Sequence, residues 1–187
     1  MALMIVVAVL GGHYVCRSQR CPTLFTARPA AAACRPDLDV VVSTQLHEGL
    51  VQAFGHNGYT PAELAQVFAD GGQALALMAG GQLVSVGMIY RNFAYIWGIA
   101  GLFTTPAARR QGYAARIVRT AVHLLHQRGY TPRYVVDAAN TPSITLAETV
   151  GLKRFLTVIH YAASGRRAIE APPGDGACTH SAKGYGD

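Results

Sequence analysis

Residues 99–115 read IAGLFTTPAARRQGYAA: a strand-like apolar run, a proline, two arginines and a glycine that opens a helix. The first turn of a helix has backbone N–H groups without intrahelical acceptors, and its dipole adds partial positive charge, so an anion is held there without a dedicated side chain. Gly112 lets a phosphate approach the main chain, Arg109 and Arg110 add attraction, and Ala114 leaves the helix start uncrowded. The spacing R-x-x-G-x-A therefore suits a pyrophosphate, although a strand, a glycine and a helix also follow one another wherever a parallel crossover needs a tight turn. No G-K-[ST] follows, and the three glycines and downstream acid of a dinucleotide fingerprint are missing, which excludes both of those phosphate loops.

Outward from this stretch, residues 113–128 form the clearest element. Ala114, Ile117, Val118, Ala121, Val122 and Leu125 fall on one apolar face of a helix that Gly129 closes, with Arg116, Arg119, His123 and Gln127 opposite. His123 and His126 read as solvated surface residues. Residues 133–138 form the next strand, parallel to its predecessor because a full helix connects them. Asn140-Thr141-Pro142 then caps and starts a short helix to Val150, Gly151 stops it, and residues 153–161 make one further strand. Upstream, residues 73–79 and 83–91 are strands joined by the Gly80-Gly81 turn, and residues 93–104 complete the meander. Gly98 and Gly101 inside that last strand mark a bulge or a ligand pressed against the backbone. Before them come a short strand at 38–43, a helix carrying Leu46, Leu50, Val51 and Phe54, and a second helix started by Thr60-Pro61.

The ends are less regular. Residues 1–11 have the length of a signal h-region without basic residues ahead of it or a small-x-small cleavage site, which leaves export, a buried first strand and a mis-chosen start codon as alternatives. Residues 13–36 show no sustained period and are read without regular structure. The division is thus a poorly defined segment at 1–36, one domain at 37–163, and a flexible tail at 164–187.

Composition narrows the partners. The 187 residues are half hydrophobic with a net charge of +6, Lys153 and Lys183 being the only lysines. Arginine suits planar, bidentate pairing with phosphate or carboxylate. The basic residues are scattered, with Arg109-Arg110 and Arg166-Arg167 the only adjacent arginines, so no nucleic-acid partner is expected. No run approaches the roughly 18 apolar residues of a membrane span, and no membrane partner is expected either. Cys16, Cys21, Cys34 and Cys178 have no metal-ligand spacing, which reads as free thiols in a cytoplasmic protein without a metal.

The run T-T-P-A-A-R-R-Q-G-Y-A-A, the amphipathic helix after it, the strand YVVDAAN and the helix N-T-P-S-I-T-L-A-E-T-V-G-L together resemble the GNAT superfamily of acetyl-CoA-dependent N-acyltransferases, and within it the glycine N-acyltransferase relatives. The resemblance covers about residues 74–161. It implies an α/β fold with a central, bent mixed sheet, a splay between two parallel strands and helices on both faces. It implies acetyl-CoA as cosubstrate, with Arg109, Arg110, Gln111, Gly112, Tyr113 and Ala114 cradling its pyrophosphate, and Leu102, Phe103 and Thr104 offering backbone hydrogen bonds to its pantetheine arm. Asn140 matches the family asparagine beside the cofactor, and an Asn before Thr-Pro is also an ordinary helix cap; Ser143 matches the serine that often follows.

The chain departs from the family where the chemistry lies. The family helix carries a tyrosine that protonates the departing thiolate, and Ala147 stands in its place. Between Asp70 and Asp137 there is no acidic residue to serve as base. The remaining candidates are Asp137 and Tyr95 first, then Glu48, Tyr90 and His160. Direct transfer in a ternary complex is still expected, since orientation and backbone donors supply much of the rate. The acceptor is expected to be a primary amine of a small molecule or an amino acid whose carboxylate pairs with Arg91, and a homodimer is compatible with the sequence. The competing expectation is a non-catalytic acyl-CoA-binding module.

Overall fold

The computed structural model describes residues 14–16, 22–26, 36–157 and 161–163. The apolar run at 1–11, the tail at 164–187 and His160 lie outside the described residues. Thirteen elements follow in chain order: β1 (Tyr14–Cys16), β2 (Pro22–Thr26), β3 (Val40–Ser43), α1 (Glu48–Gly55), α2 (Pro61–Ala69), β4 (Gln73–Ala79), β5 (Gln82–Phe93), β6 (Ile96–Thr104), α3 (Tyr113–Gln127), β7 (Thr131–Asp137), α4 (Thr141–Thr149), β8 (Lys153–Thr157) and β9 (Tyr161–Ala163).

Seven strands make one mixed sheet in the order β3-β4-β5-β6-β7-β2-β8. The pair β6–β7 is parallel, as the α3 crossover requires, and the other pairings are antiparallel. Alternation along β4 explains how both faces are covered. Leu75 and Leu77 join Ile89, Ile99 and the α3 side chains Ile117, Val118, Ala121, Val122 and Leu125 on one face. Ala74 and Ala76 join Val86, Met88 and the α1–α2 residues Leu50, Phe54 and Leu64 on the other. Burying each of these large aliphatic side chains contributes about 1.5–3 kcal/mol. The start of α2 is fixed as its sequence indicates, the Thr60 side chain accepting from the Glu63 N–H while Glu63 reaches back to the Thr60 N–H.

The expectation for residues 13–36 is corrected. β2 lies between β7 and β8, with Phe25 opposite Tyr134 and fully buried, while β1 pairs with β9 in a separate two-stranded ribbon. The single strand expected at 153–161 is also corrected: β8 belongs to the main sheet and β9 to the ribbon. His123 and His126 are half-buried rather than solvated, with His123 Nε2 and both His126 ring nitrogens out of contact with solvent and unpartnered among the described residues. Arg116, on the face expected to be solvated, pins the segment before β3 by pairing with Asp37 and Asp39, and the Thr120 hydroxyl accepts from the Asp37 N–H at 3.1 Å.

Candidate active site

β6 and β7 run side by side only from Ile96↔Thr131 to Ile99↔Tyr134. Beyond that point β6 stays with β5 as far as Ser85↔Thr104, and β7 stays with β2 as far as Pro22↔Asp137. Each strand is held by its outer neighbour, so a wedge opens between residues 100–104 and 135–137. Gly101 sharpens it: the register between β5 and β6 shifts here, and Gly101 has φ +64°, a bulge conformation that suits glycine. The expected bulge is therefore at Gly101. At Gly98 the pairing is regular, and the space a Cβ would take is filled by the Tyr90 ring, 2.2 Å from it.

A cavity of about 220 Å³ fills the wedge, lined by Asn57, Tyr59, Gly101, Leu102, Tyr134 and Asp137 among others. A second, of about 500 Å³, runs from there between α3 and α4, along Thr104, Arg109, Gly112, Tyr113, Ser143 and Leu146. Asn57, Leu102 and Ser143 line both and mark the junction. At this junction the Asn57 side chain donates to the Leu102 carbonyl at 3.1 Å.

The far end of the larger cavity is the start of α3. After Thr104 the chain makes a 3-10 turn over Pro106–Ala108, the Arg109 side chain donates to the Thr104 carbonyl at 3.2 Å, and the Gln111 amide donates to the Ala107 carbonyl at 3.2 Å. Arg110 at φ +62° and Gly112 at φ +82° then turn the backbone into the helix. The first intrahelical bond runs from the Arg116 N–H to the Gly112 carbonyl, and Gly112 has no side chain with which to cap. The N–H groups of Tyr113, Ala114 and Ala115 are thus the helix's unsatisfied donors, and these residues line the cavity. A pyrophosphate fits this end, and an extended arm fits the passage from it to the wedge.

Of the residues singled out from the sequence, Leu102, Phe103, Thr104, Arg109, Arg110, Gly112, Tyr113, Ala114 and Ser143 line the larger cavity together. Gln111 packs back on its own turn. Asn140 caps α4, its side-chain oxygen accepting from the Ser143 N–H at 3.1 Å, and it lines the smaller cavity. Asp137 is at the wedge, where its carboxylate accepts from the Ala139 N–H at 2.9 Å.

Other residues are not brought there. Tyr95 is 63% exposed in the turn between β5 and β6; at about 3.3 Å per residue it lies roughly 20 Å from the junction. This placement corrects its candidacy for proton transfer. Arg91 sits opposite Trp97, away from both cavities, which corrects its expected pairing with an acceptor carboxylate. Tyr90 is committed to the Gly98 backbone, and Glu48 opens α1. Ala147 is fully buried in the core.

Tyr134 was not among the sequence-derived candidates. It stands at the last paired position before the wedge, is 4% exposed and lies beside the Ser143 hydroxyl. Burial raises its pKa above the ordinary phenol value, with the hydrogen bond from Ser143 working in the opposite direction. The signal that could have found it is its position in the strand after the crossover helix, the place where a parallel pair opens.

Among the described residues, a mixed sheet parted at its one parallel pair, with an unsatisfied helix start at the mouth of the opening, places the chain among mixed α/β folds that open a ligand-sized cleft between parallel strands. The profile described as Acetyltransferase (GNAT) family matches residues 44–152, and the chain belongs to that family. Among solved structures, a GNAT-family protein from Novosphingobium aromaticivorans aligns with TM-score 0.58 at 20% identity over 86% of this chain and 71% of its own. A GCN5-related N-acetyltransferase from Kribbella flavida gives 0.58 at 19%, over 83% of this chain and 61% of its own. A GNAT-family acetyltransferase from Colwellia psychrerythraea gives 0.61 at 12%, over 81% and 57%. No curated protein matches the chain by sequence. The expected fold class, a mixed sheet with helices on both faces, is therefore observed.

Proposed function

We propose that the protein transfers an acetyl group from acetyl-CoA to the primary amine of a small molecule or an amino acid, by direct attack within a ternary complex. The observation that carries this reading is the continuity of the two cavities. One end offers N–H donors and two arginines for a pyrophosphate, and the other is the wedge where β6 and β7 expose their backbones. When bound, acetyl-CoA supplies the activated acyl group. The protein's own groups orient it: Arg109 and Arg110 at the anionic end, and the β6 backbone along the arm. At the wedge, Asp137 is the carboxylate placed to take a proton from the amine, directly or through water.

The glycine N-acyltransferase relatives are the subgroup whose acceptors suit this site, since the smaller cavity has room for an amine of few atoms. Incubation of the chain with acetyl-CoA and a panel of amines, following free thiol, tests the proposal. Acceptor-dependent thiol release is expected, with amino acids and neutral amines ahead of polyamines.

One observation favours a second reading, a module that binds acyl-CoA without turnover. β4, β5 and β6 carry no carboxylate, and Ala147 presents no proton donor. Tight binding of CoA with no thiol release across the panel would establish it.

A further inference from the structure

The inference rests on the acyl-transfer reading, in which one step still lacks a group: when the acyl carbon leaves sulfur, the thiolate must be stabilised and protonated. Among the described residues, the hydroxyl-bearing side chains at the wedge are few. Tyr113 lies at the pyrophosphate end, over which Arg116 stands 5.8 Å from its ring centroid. Tyr59 packs edge-on against Phe54 on the α1 side of the sheet, with ring centroids 6.4 Å apart. Tyr134 rises from the opposite face, among the side chains that pack with α3 and α4. This is the face along which the larger cavity brings its occupant, and the Ser143 hydroxyl beside Tyr134 marks the junction of the two cavities.

We propose that Tyr134 is the catalytic proton donor to the departing thiolate, with Ser143 as its positioning residue. The amine nitrogen forms a bond to the acyl carbon and the carbon–sulfur bond breaks, its electron pair staying on sulfur. The phenol proton passes to that sulfur, and the proton lost by the amine returns to the phenolate through Asp137 or solvent. The Ser143 hydroxyl hydrogen-bonds the phenoxide oxygen during the exchange. Because burial keeps the phenol protonated throughout the neutral range, the donor is present at every working pH.

The test compares wild type with Tyr134→Phe, Ser143→Ala and Tyr59→Phe, using acetyl-CoA, CoA and desulfo-CoA. Removing the phenol oxygen is expected to lower kcat about 10- to 100-fold, the lower part of the range for general acids because a thiolate is already a fair leaving group, with KM for acetyl-CoA unchanged. Wild type is expected to bind CoA more tightly than desulfo-CoA, and this preference disappears in Tyr134→Phe, a readout independent of turnover. Ser143→Ala, which keeps the phenol, lowers kcat by a smaller factor and carries the test should Tyr134→Phe fail to fold.

Turnover in wild type with kcat and the sulfur preference unaltered in Tyr134→Phe overturns the assignment and leaves acyl transfer standing. A loss confined to Tyr59→Phe does the same, and moves the proton donor to the α1 side of the sheet. CoA binding without thiol release in wild type overturns both the assignment and the transferase reading.

Discussion

Gly112 sets the backbone at the start of α3 and lines the larger cavity there. Its φ of +82° is costly for any residue with a Cβ, yet a Cβ placed there meets no atom within 4 Å, because the space beside it is the larger cavity. Gly112→Ala is therefore expected to cost about 1–2 kcal/mol of stability through strain alone, and to weaken CoA binding by more than that strain explains, since the new methyl occupies the path of the phosphate. Thermal melts and calorimetric titration with CoA check it; unchanged affinity would remove this helix start as the anion site. The Arg116–Asp37 pair acts differently. Hydrogen bonding to Arg116 holds Asp37 below the ordinary carboxylate range against the opposing effect of burial. A carboxylate with a depressed folded pKa adds stability above its unfolded value, and that stability is lost as pH falls through the folded value. Asp37→Asn should accordingly lower Tm at neutral pH, with the gap to wild type closing below about pH 4. A gap that persists undiminished into strong acid would mean that the ion pair is not its source.

Within β6, the bulge decides which side chains pack toward α3 and which toward α1. Strict alternation from Ile99, on the α3 face, would put Leu102 toward α1 and Phe103 toward α3. The extra residue at Gly101 reverses both, so that Leu102 packs with the α3 cluster and Phe103 with the α1 cluster. Gly101→Val faces a positive φ and a Cβ 3.0 Å from Phe54 Cδ1. Its expected outcome is a loss of both stability and CoA binding, measured by denaturant midpoint and titration, whereas Leu125→Ala, on the part of α3 away from the site, should cost about 2–5 kcal/mol of stability while leaving affinity for CoA intact in the folded fraction. The same elements show what periodicity can reveal. The α3 face and the β4–β6 meander follow from apolar spacing because each buries a face set by its own repeat. The bulge was legible because glycine inside an apolar strand has few other uses, though Gly98 resembled Gly101 and served only to seat Tyr90. Tyr134 was overlooked because YVVD reads as an ordinary buried strand; its position at the fork depends on β2 and β5 drawing the parallel pair apart.

At the scale of the whole molecule, the wedge exists because β7 is held from its far side by β2. That strand was not legible: PTLFT is five residues long, opens on a proline and has no period of its own, and its partner Thr131–Asp137 lies more than a hundred residues downstream. Proline is accepted at its first position, opposite Asp137, because an N–H there is not needed to extend the ladder. Leu24 pairs with Val135 on one side and Leu156 on the other, while Phe25 is fully buried opposite Tyr134, with the Arg154 guanidinium 5.7 Å from its ring centroid. If β2 is what keeps β7 away from β6, damage to it should reach the cofactor as well as the core. Phe25→Ala is expected to cost about 3–5 kcal/mol and to reduce the CoA affinity of the folded fraction, because Tyr134 and the wedge lose their backing. Phe25→Leu, which restores most of the volume, should recover affinity before it recovers full stability. Leu24→Pro, which removes a ladder donor in a central strand, should abolish folding. A Phe25→Ala protein that melts early yet binds CoA as wild type does would show that β5 alone, pulling β6 outward, is sufficient to hold the site open.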